Sequence, residues 1–338
     1  MGRKRVTIAD VAAKAGVDPG LVSKVLNNRP GFSIREETRQ RVHNAAQELD
    51  YRPSMAARSL RTSKTGAIGV LLPAFTNPIW SEILDAAESE ADRRGYTLLA
   101  GIAGNDPQTG DRRPSRFLDL ARSGSVDGLL VASTLQDSDL KAGFEGIPWL
   151  HINRRPDVSR RHLVLDDTAG VATAAEHLID LGHTRIGYLS GPLDTDSGRR
   201  RLTGFKQAMT SRGLPHDAFV ESTYELSSGA QAMSSLIDRY PDLTGIVCAS
   251  FTTAAGAVAA AQVRGIGIPE RLSIISVHDI EMAAAFGPPL TTVRMPLEEL
   301  GRRGVELLLD NDANVDIDEI ITSPITVVER RSTAPAPR

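Results

Sequence analysis

The chain of 338 residues contains one cysteine, Cys248, and nothing like the roughly 18 consecutive apolar residues of a membrane-spanning helix. A single thiol excludes an internal disulfide and is typical of proteins in a reducing compartment. The basic N-terminus lacks the apolar core of a secretion signal. We therefore expect a cytoplasmic protein without a membrane partner.

Motifs of enzymes and metal sites are also scarce. No GxxxxGK[ST] phosphate loop occurs, and His177 and His183 lack the spacing of an HExxH zinc site. The stretch DTDSG at 194–198 resembles a calcium loop, but Phe205 stands where that loop requires glutamate. These departures argue against a bound metal.

Two remaining candidates for chemistry have structural interpretations. Asp166 and Asp167 precede the helix-like run TAGVATAAEHL and are interpreted as helix caps rather than paired acids. Cys248 lies among apolar residues and is predicted to belong to the core. We expect no enzymatic activity and no cofactor.

Charge is divided unevenly along the chain. Residues 1–66 contain 13 Lys and Arg against 6 Asp and Glu, which gives this segment a net charge of +7. The net charge of the whole chain is −3, so the remaining residues carry −10. A basic segment on an acidic body indicates that the segment meets a polyanion. The length allows two or three domains.

The basic segment contains three short amphipathic stretches. The apolar spacing within residues 8–15 predicts one helix. Asp18 followed by Pro19 predicts the N-cap and first residue of a second. Ser33 and Glu36 predict a capping box for a third. The residues expected on the inner faces are Ile8, Val11, Ala12, Ala15, Val22, Val25, Leu26, Val42, Ala45, Ala46 and Leu49.

This arrangement is a helix-turn-helix, in which the second helix enters the major groove of DNA. The stretches TIADVAAKAGV, VSKVLN and TRQRVHNAAQELDYRPSMAARSL resemble the LacI/GalR (lactose-repressor) family of bacterial transcriptional regulators. The body carries further motifs of that family: GYTLL, VDGLLV, HLVLDDTAGVATAAEHLIDLGHTRIGYLSGP, RRLTGF, PPLTTV and PLEELG. The resemblance covers essentially the whole chain.

The resemblance implies a set of DNA contacts in the helix-turn-helix. Lys24 stands where the family usually has a base-reading arginine, but Pro19 and Gly20 offer no side-chain donor or acceptor, and Leu21 replaces the usual threonine. We therefore expect fewer base contacts than in relatives and more reading of groove shape. The implied contacts are Thr7, Pro19, Gly20, Ser23, Lys24 and Asn27.

The segment MAARSL after Pro53 is too short to be stable as an isolated helix. In the family it folds in the minor groove when two copies meet on DNA. The resemblance implies that Leu60 is the apolar wedge between base pairs, that Ala57 permits close approach and that Arg58 contacts the groove or backbone. The alternative is a solvated linker.

Strand-like and helical stretches alternate from Gly66 onward, which predicts α/β architecture with parallel sheets. The resemblance implies two lobes of the periplasmic-binding-protein type, with three chain crossings. The expected divisions are a DNA-binding domain at 1–52, a hinge helix and linker at 53–65, an N-terminal lobe at 66–165 plus 293–323, and a C-terminal lobe at 166–292 plus 324–338.

The resemblance also places an effector site between the lobes. Ile79 and Trp80 would form an apolar wall there. Ser250 and His278 replace a common asparagine and aspartate, so His278 would either accept from a hydroxyl or favour an anionic effector when protonated. The remaining contacts implied are Asn105, Asn153, Ser197 and Arg201.

These inferences together indicate a homodimeric transcriptional regulator, which we interpret as a repressor. Its expected partners are operator DNA and a small effector, such as a sugar or related polar metabolite. The C-terminal VVERRSTAPAPR lacks the leucine heptads of a tetramerising coil. The alternative is a cytosolic small-molecule receptor without operator function. Salt-dependent binding to duplex DNA distinguishes the two.

The hinge hypothesis predicts that Leu60→Ser lowers operator affinity, because a hydroxymethyl group cannot hold a base step apart. Effector affinity should stay unchanged. Fluorescence anisotropy with duplex DNA and calorimetry with effector measure the two quantities, and full operator affinity in the variant would refute the wedge.

Overall fold

The computed structural model describes residues 6–26, 32–51, 64–103, 116–133, 135, 138, 140–141, 146–156, 159–322 and 324–337. The chain forms two compact units that divide between Gly66 and Ala67. We call them the head and the body and consider each by itself.

The head contains three helices, α1 (Ile8–Ala15), α2 (Pro19–Leu26) and α3 (Glu36–Glu48). Their predicted inner faces share one core, which confirms the apolar stripes read from the sequence. Ile8, Leu26 and Leu49 are partly buried at its edge. The fully buried members are Val11, Ala12, Ala15, Val22, Val25, Val42, Ala45 and Ala46.

Capping explains where the first two helices begin. Thr7 and Asp10 form a capping box at α1, in which the backbone N–H of Thr7 donates to the Asp10 carboxylate at 2.8 Å. The Asp18 carboxylate accepts the backbone N–H of Gly20 at 2.7 Å. Asp18 is therefore the N-cap of α2, with Pro19 as its first residue, as predicted.

The predicted capping box at Ser33 is wrong. Helix α3 begins after Arg35, which has extended backbone angles and no side-chain cap. Glu36 and Glu37 fill the first turn, where their negative charges interact favourably with the helix dipole. The glutamate that suggested the box thus lies in the first turn instead of reaching back to Ser33.

The body contains two six-stranded sheets, in the orders β11-β5-β4-β3-β1-β2 and β12-β10-β9-β8-β6-β7. All neighbouring strands are parallel except β12, which pairs antiparallel with β10. The strands are β1 Ala67–Leu72, β2 Thr97–Ile102, β3 Gly128–Val131, β4 Trp149–Ile152, β5 Arg161–Leu165, β6 Ile186–Ser190, β7 Phe219–Glu221, β8 Gly245–Cys248, β9 Ser273–Val277, β10 Thr291–Arg294, β11 Ile317–Ile321 and β12 Thr326–Val328.

Helices cover these sheets, and buried apolar side chains lie against both faces. None of the helices in the described ranges is long and apolar enough to cross a bilayer. The helices are α4 Ile79–Arg93, α5 Arg116–Leu120 with a π-helical turn at Ala121–Ser125, α6 Asp167–Asp180, α7 Asp196–Ser211, α8 Leu226–Arg239, α9 Phe251–Val263, α10 Met282–Ala285 and α11 Leu297–Asp310.

The chain passes between the sheets three times. It leaves the first after β5, returns after β10 and leaves it again after β11. The predicted α/β architecture of two parallel-sheet lobes is confirmed. Strands β5, β7, β10, β11 and β12 were not predicted from the sequence. The three-residue β7 and β12 are incompletely buried, but β5 is buried along its whole length, so one reason does not cover all five.

Helices α6 and α7 approach closely enough that one glycine decides their spacing. A Cβ atom on Gly204 of α7 would lie 2.1 Å from the backbone oxygen of Thr168 in α6. Only hydrogen fits in that gap. This contact holds the middle of α7 against the N-terminus of α6, next to the binding cavity described below.

Gly204→Ala should therefore lower the free energy of unfolding by about 1–3 kcal/mol, since overpacking displaces backbone rather than a flexible side chain. Thermal unfolding of the full chain measures the loss. Ser211→Ala, near the end of the same helix, is the control and should unfold close to the parent. A Gly204→Ala protein as stable as the parent would contradict the close contact.

Candidate functional site

The predicted DNA-binding face of the head is exposed. Pro19, Gly20 and Lys24 on α2 are exposed and Ser23 is partly exposed. Thr7, at the start of α1, is exposed as well. The apolar core thus leaves the predicted contact residues at the surface of two adjacent helices.

Lys24 has a neighbour that the sequence did not predict. Its ammonium nitrogen lies 5.3 Å from the ring centroid of Phe32, a cation–π distance. Phe32 is partly buried against the core of the head. The ring therefore supports the one cationic side chain of α2.

Five predicted contacts lie outside the described residues. They are Asn27, Ala57, Arg58, Leu60 and Asn105.

A cavity of about 520 Å³ lies in the body between the carboxyl ends of the two sheets. This is the location expected for a ligand in parallel α/β sheets. Of the predicted effector contacts, Ile79, Trp80, Asn153, Ser197 and Arg201 line it. The other lining residues are Pro73, Ala74, Thr76, Asn77, Ala132, Arg154, Pro192, Asp194, Thr195, Glu221, Thr223, Tyr224 and Glu225.

Both lobes contribute walls through the segments that follow their strands. Pro73 follows β1 and Asn153 follows β4 in the first sheet, and Tyr224 follows β7 in the second. Asn153 and Tyr224 have positive φ angles of 57° and 61°. Such angles are uncommon for residues with a side chain and are often found at functional sites.

A buried ion pair forms the floor beside this cavity. The Nε of Arg201 donates to the Asp167 carboxylate at 2.7 Å, and Arg200 approaches the second oxygen at 2.8 Å. Asp167 is fully buried. Burial alone would raise the pKa of Asp167, but the guanidinium groups of Arg201 and Arg200 outweigh it and hold the pKa below its usual value.

The sequence interpretation of this acidic pair was half right. Asp166 is the N-cap of α6, with its carboxylate accepting the backbone N–H of Ala169 at 2.9 Å. Asp167 is not a cap but the counter-ion of two arginines. Nothing in the sequence separates the two roles, because the arginines are more than 30 residues away.

Arg201 also ties together the ends of two strands of the second sheet. Its guanidinium donates to the carbonyl of Ala249, after β8, at 3.1 Å, and to Nε2 of His278, after β9, at 3.4 Å. Asp167 raises the pKa of Arg201 against the opposing effect of burial. The side chain is therefore a permanent cation held in one orientation.

The structure places His278 behind Arg201 and outside the residues that line the cavity. Burial, with the adjacent Arg201 cation, lowers the pKa of His278 to about 3. The ring is therefore neutral near pH 7 in this structure, which gives no support to the expectation that a protonated His278 favours an anionic effector. Because Arg201 only donates, Nε2 accepts and the proton lies on Nδ1.

Ser250 is likewise outside the cavity lining. Its hydroxyl accepts the backbone N–H of Thr253 at 3.2 Å and caps α9. It is buried. In this structure its role is to begin a helix.

Tyr224 is a cavity residue that sequence reasoning missed. Its ring lies 5.5 Å from the guanidinium carbon of Arg201 and so close to Gly191 that a Cβ there would be 2.1 Å from the ring. A glycine in the loop after β6 thus admits the aromatic wall. The only available clue was the glycine in YLSGP, which does not indicate what approaches it.

Several buried polar atoms around the cavity have no hydrogen-bond partner among the described residues. They include Nε1 of Trp80, Oδ1 of Asn153 and the hydroxyl of Tyr224. Buried polar groups are ordinarily satisfied, so such a group next to a cavity indicates a ligand or ordered water. The described residues contain no cluster of three or more His, Cys, Asp or Glu that could hold a metal.

Comparison with known proteins agrees with both units. Residues 7–54 match the model of bacterial regulatory proteins of the lacI family, and residues 175–333 match the periplasmic binding protein-like domain. The transcriptional regulator DegA of Bacillus subtilis is 32% identical over 98% of this chain and 99% of its own. The transcriptional repressor PurR of Klebsiella pneumoniae is 34% identical over 98% of each chain.

The chain belongs to the lacI family of bacterial regulatory proteins. It is a DNA-binding transcriptional regulator of the kind controlled by a small molecule, and its relatives are regulators rather than enzymes. Among solved structures, the lac repressor dimer bound to operator and an anti-inducer has a TM-score of 0.82, with 26% identity, over 98% of this chain and 100% of that one. The regulator CelR in complex with cellobiose has a TM-score of 0.70, with 26% identity, over 97% and 100%.

Asp167 should make the stability of this lacI-family body depend on pH. Its lowered pKa means that the pair stabilises the fold above the usual aspartate value of about 3.8 and that the contribution is lost as pH falls below it. Asp167→Asn leaves two arginines without their shared counter-ion, so it should cost about 3–5 kcal/mol at pH 7.

Urea unfolding at pH 7 and at steps down to pH 3 measures both effects. Asp180→Asn, which breaks an exposed pair with Arg212 in the same lobe, is the control and should lose much less stability. Equal losses of unfolding free energy in the two variants would show that the buried pair stabilises the fold no more than the exposed pair does.

Proposed function

We propose that the chain is a homodimeric repressor whose head and hinge bind operator DNA and whose two lobes close on a small polar effector. The proposed divisions are 1–52 for the head, 53–65 for the hinge and linker, 66–165 plus 293–323 for one lobe, and 166–292 plus 324–338 for the other.

The exposed face of α2 carries this proposal. Val22 and Val25 are buried while Pro19, Gly20 and Lys24 are exposed, so the helix offers one polar face after its core is complete. Thr7 and Ser23 flank that face and are proposed to contact phosphates. The lac repressor, which has the same fold, is bound to operator as a dimer, and a dimer of this chain would read a two-fold operator.

Base reading is proposed to fall mainly on Lys24. Gly20 and Pro19 present backbone and a ring, so they contribute shape rather than hydrogen bonds. Asn27 and the hinge residues Leu60 and Arg58, with the small Ala57, are proposed to complete the contacts.

The cavity supports the effector part of the proposal. It combines an apolar wall, Ile79 and Trp80, with the polar groups of Asn153, Ser197 and Arg201. A volume of about 520 Å³ is within the usual range for a small-molecule site. CelR, a relative in fold, binds cellobiose, and a metabolite of similar size would fit here.

Binding would act on DNA affinity by shifting a conformational equilibrium. A ligand held by Trp80 of one lobe and Arg201 of the other binds best when the lobes are closed. It changes operator affinity only as far as its affinities for the two states differ. The direction, induction or co-repression, follows from which state allows the hinge segments to pair.

Operator binding is tested with the full chain in two steps. Selection from random duplex DNA identifies a preferred site, and anisotropy titrations then measure its affinity across salt concentrations. We expect an inverted-repeat site and a steep fall in affinity with salt, because phosphate contacts release counterions. A chain that selects no duplex is a receptor without operator function, and the proposal fails.

Lys24→Ala should reduce the discrimination between the selected site and single-base variants by about 1–3 kcal/mol at one position, since a base contact is lost. Lys14→Ala removes the same charge from α1, where Lys14 pairs with Glu48, and is the matched control. It should leave discrimination unchanged. Equal discrimination in Lys24→Ala and parent would assign sequence reading to other residues.

A further inference from the structure

Arg154 lines the cavity, and neither the fold nor the sequence pattern explains its guanidinium there. It follows β4 directly, beside Asn153, and it is partly buried in the cavity wall. Among the described residues it has neither a hydrogen bond nor an ion pair. Its guanidinium nitrogens are not among the fully buried polar atoms, so this partly desolvated cation can still be reached by a ligand.

Other buried arginines in the body show what a satisfied guanidinium looks like here. Arg201 is paired with Asp167 at 2.7 Å. Arg161, in β5, donates to the backbone carbonyls of Trp149 and Asp312 at 2.9 and 2.8 Å, although its Nη2 is buried without a partner. Arg154 differs from both, because no described residue accepts a hydrogen bond from it.

Of the three arginines at the cavity, Arg154 is the one without an ion-pair contact to a described carboxylate. Arg200 and Arg201 are matched by Asp167 and by Asp196, whose carboxylate accepts from Arg200 at 3.0 Å. Burial lowers the pKa of Arg154, against the weaker opposing effects of Asp194 and Asp196.

The remaining acids of the lining are at the rim. They are Asp194, Glu221 and Glu225, all of them exposed and therefore screened by water.

The unsatisfied groups of the wall are mostly donors. Arg154 presents five N–H groups and Trp80 an indole N–H, and the Tyr224 hydroxyl can donate as well. Asn153 Oδ1 is the one unpartnered acceptor recorded for the described lining. A ligand that completes this wall must be rich in acceptors.

We infer that the effector carries an oxyanion, a carboxylate or a phosphate, and that Arg154 binds it while Trp80 and Tyr224 contact the body of the ligand. A guanidinium group binds a carboxylate or a phosphate through two parallel N–H donors. This inference rests on the proposal that the cavity is the effector site of the regulator.

Thermal shifts of the full chain with matched ligands test it. The probes are glucose, gluconate and glucose 6-phosphate, then ribose, ribonate and ribose 5-phosphate, and inorganic phosphate, all at equal ionic strength set with chloride. We expect an oxyanion member to raise the melting temperature more than its neutral partner does. The carboxylate and phosphate arms show which oxyanion is preferred.

Arg154→Gln should weaken binding of that probe about 10- to 150-fold, the range for hydrogen bonds to a charged group. Arg155→Gln is the matched control, since Arg155 is the next residue and its guanidinium pairs with Asp318 at 3.0 Å. It should bind the probe as the parent does.

A second readout needs no ligand. Without probe, Arg154→Gln should unfold at the same or a higher temperature than the parent, because an unpaired cation is removed from the wall. A structural role for Arg154 would lower that temperature.

Three results would overturn the inference. The first is that no oxyanion shifts melting beyond its neutral partner, the second is that Arg154→Gln binds the probe no worse than Arg155→Gln, and the third is a destabilised ligand-free Arg154→Gln. Operator binding is measured without effector. If the oxyanion probes fail to bind while DNA binding is intact, only the inference of an oxyanion effector is refuted. Loss of DNA binding counts only against the regulator.

Discussion

The pairing of Arg201 with Asp167 is the interaction on which the binding cavity depends. It joins the N-terminus of α6, the helix that directly follows β5, to α7 and, through Ala249 and His278, to the ends of β8 and β9. A buried pair of this kind contributes little net stability compared with apolar packing, but breaking it is costly. Its effect is to fix a cation in one orientation beside a space that a ligand can enter.

The packing around this pair also holds the cavity wall in one arrangement. Gly204 lets α7 lie against α6, and Gly191 admits the ring of Tyr224 next to Arg201. Both positions exclude even a methyl group: the neighbour is the backbone of Thr168 at Gly204 and the aromatic ring of Tyr224 at Gly191. A rigid wall binds a ligand with less loss of conformational entropy than a mobile one.

The head and the body use opposite strategies toward their partners. The head completes a small apolar core and leaves a polar helical face in water, so its binding energy comes from charge and groove contacts at the surface. The body leaves polar groups buried without partners and presents them to a cavity. A regulator needs both, because one partner is a large polyanion and the other is a small molecule that must be enclosed.

Much of this protein follows from local sequence. The helix stripes of the head, the Asp18–Pro19 start of α2 and the alternation of strands and helices are determined by neighbours in the chain, where propensity and period act directly. The family resemblance also predicted Trp80, Asn153 and Arg201 in one cavity, and all three line it in the structure. These assignments hold because each depends on residues close in sequence or on an ordered motif.

Tertiary structure decided the rest. The separation of Asp166, a cap, from Asp167, a counter-ion, depends on arginines 33 and 34 residues further on. The neutral state of His278, the unpaired guanidinium of Arg154 and the aromatic wall at Tyr224 depend on burial and on strands that meet only in the folded sheet. Burial and charge balance are sums over neighbours in space, and a linear sequence does not specify those neighbours.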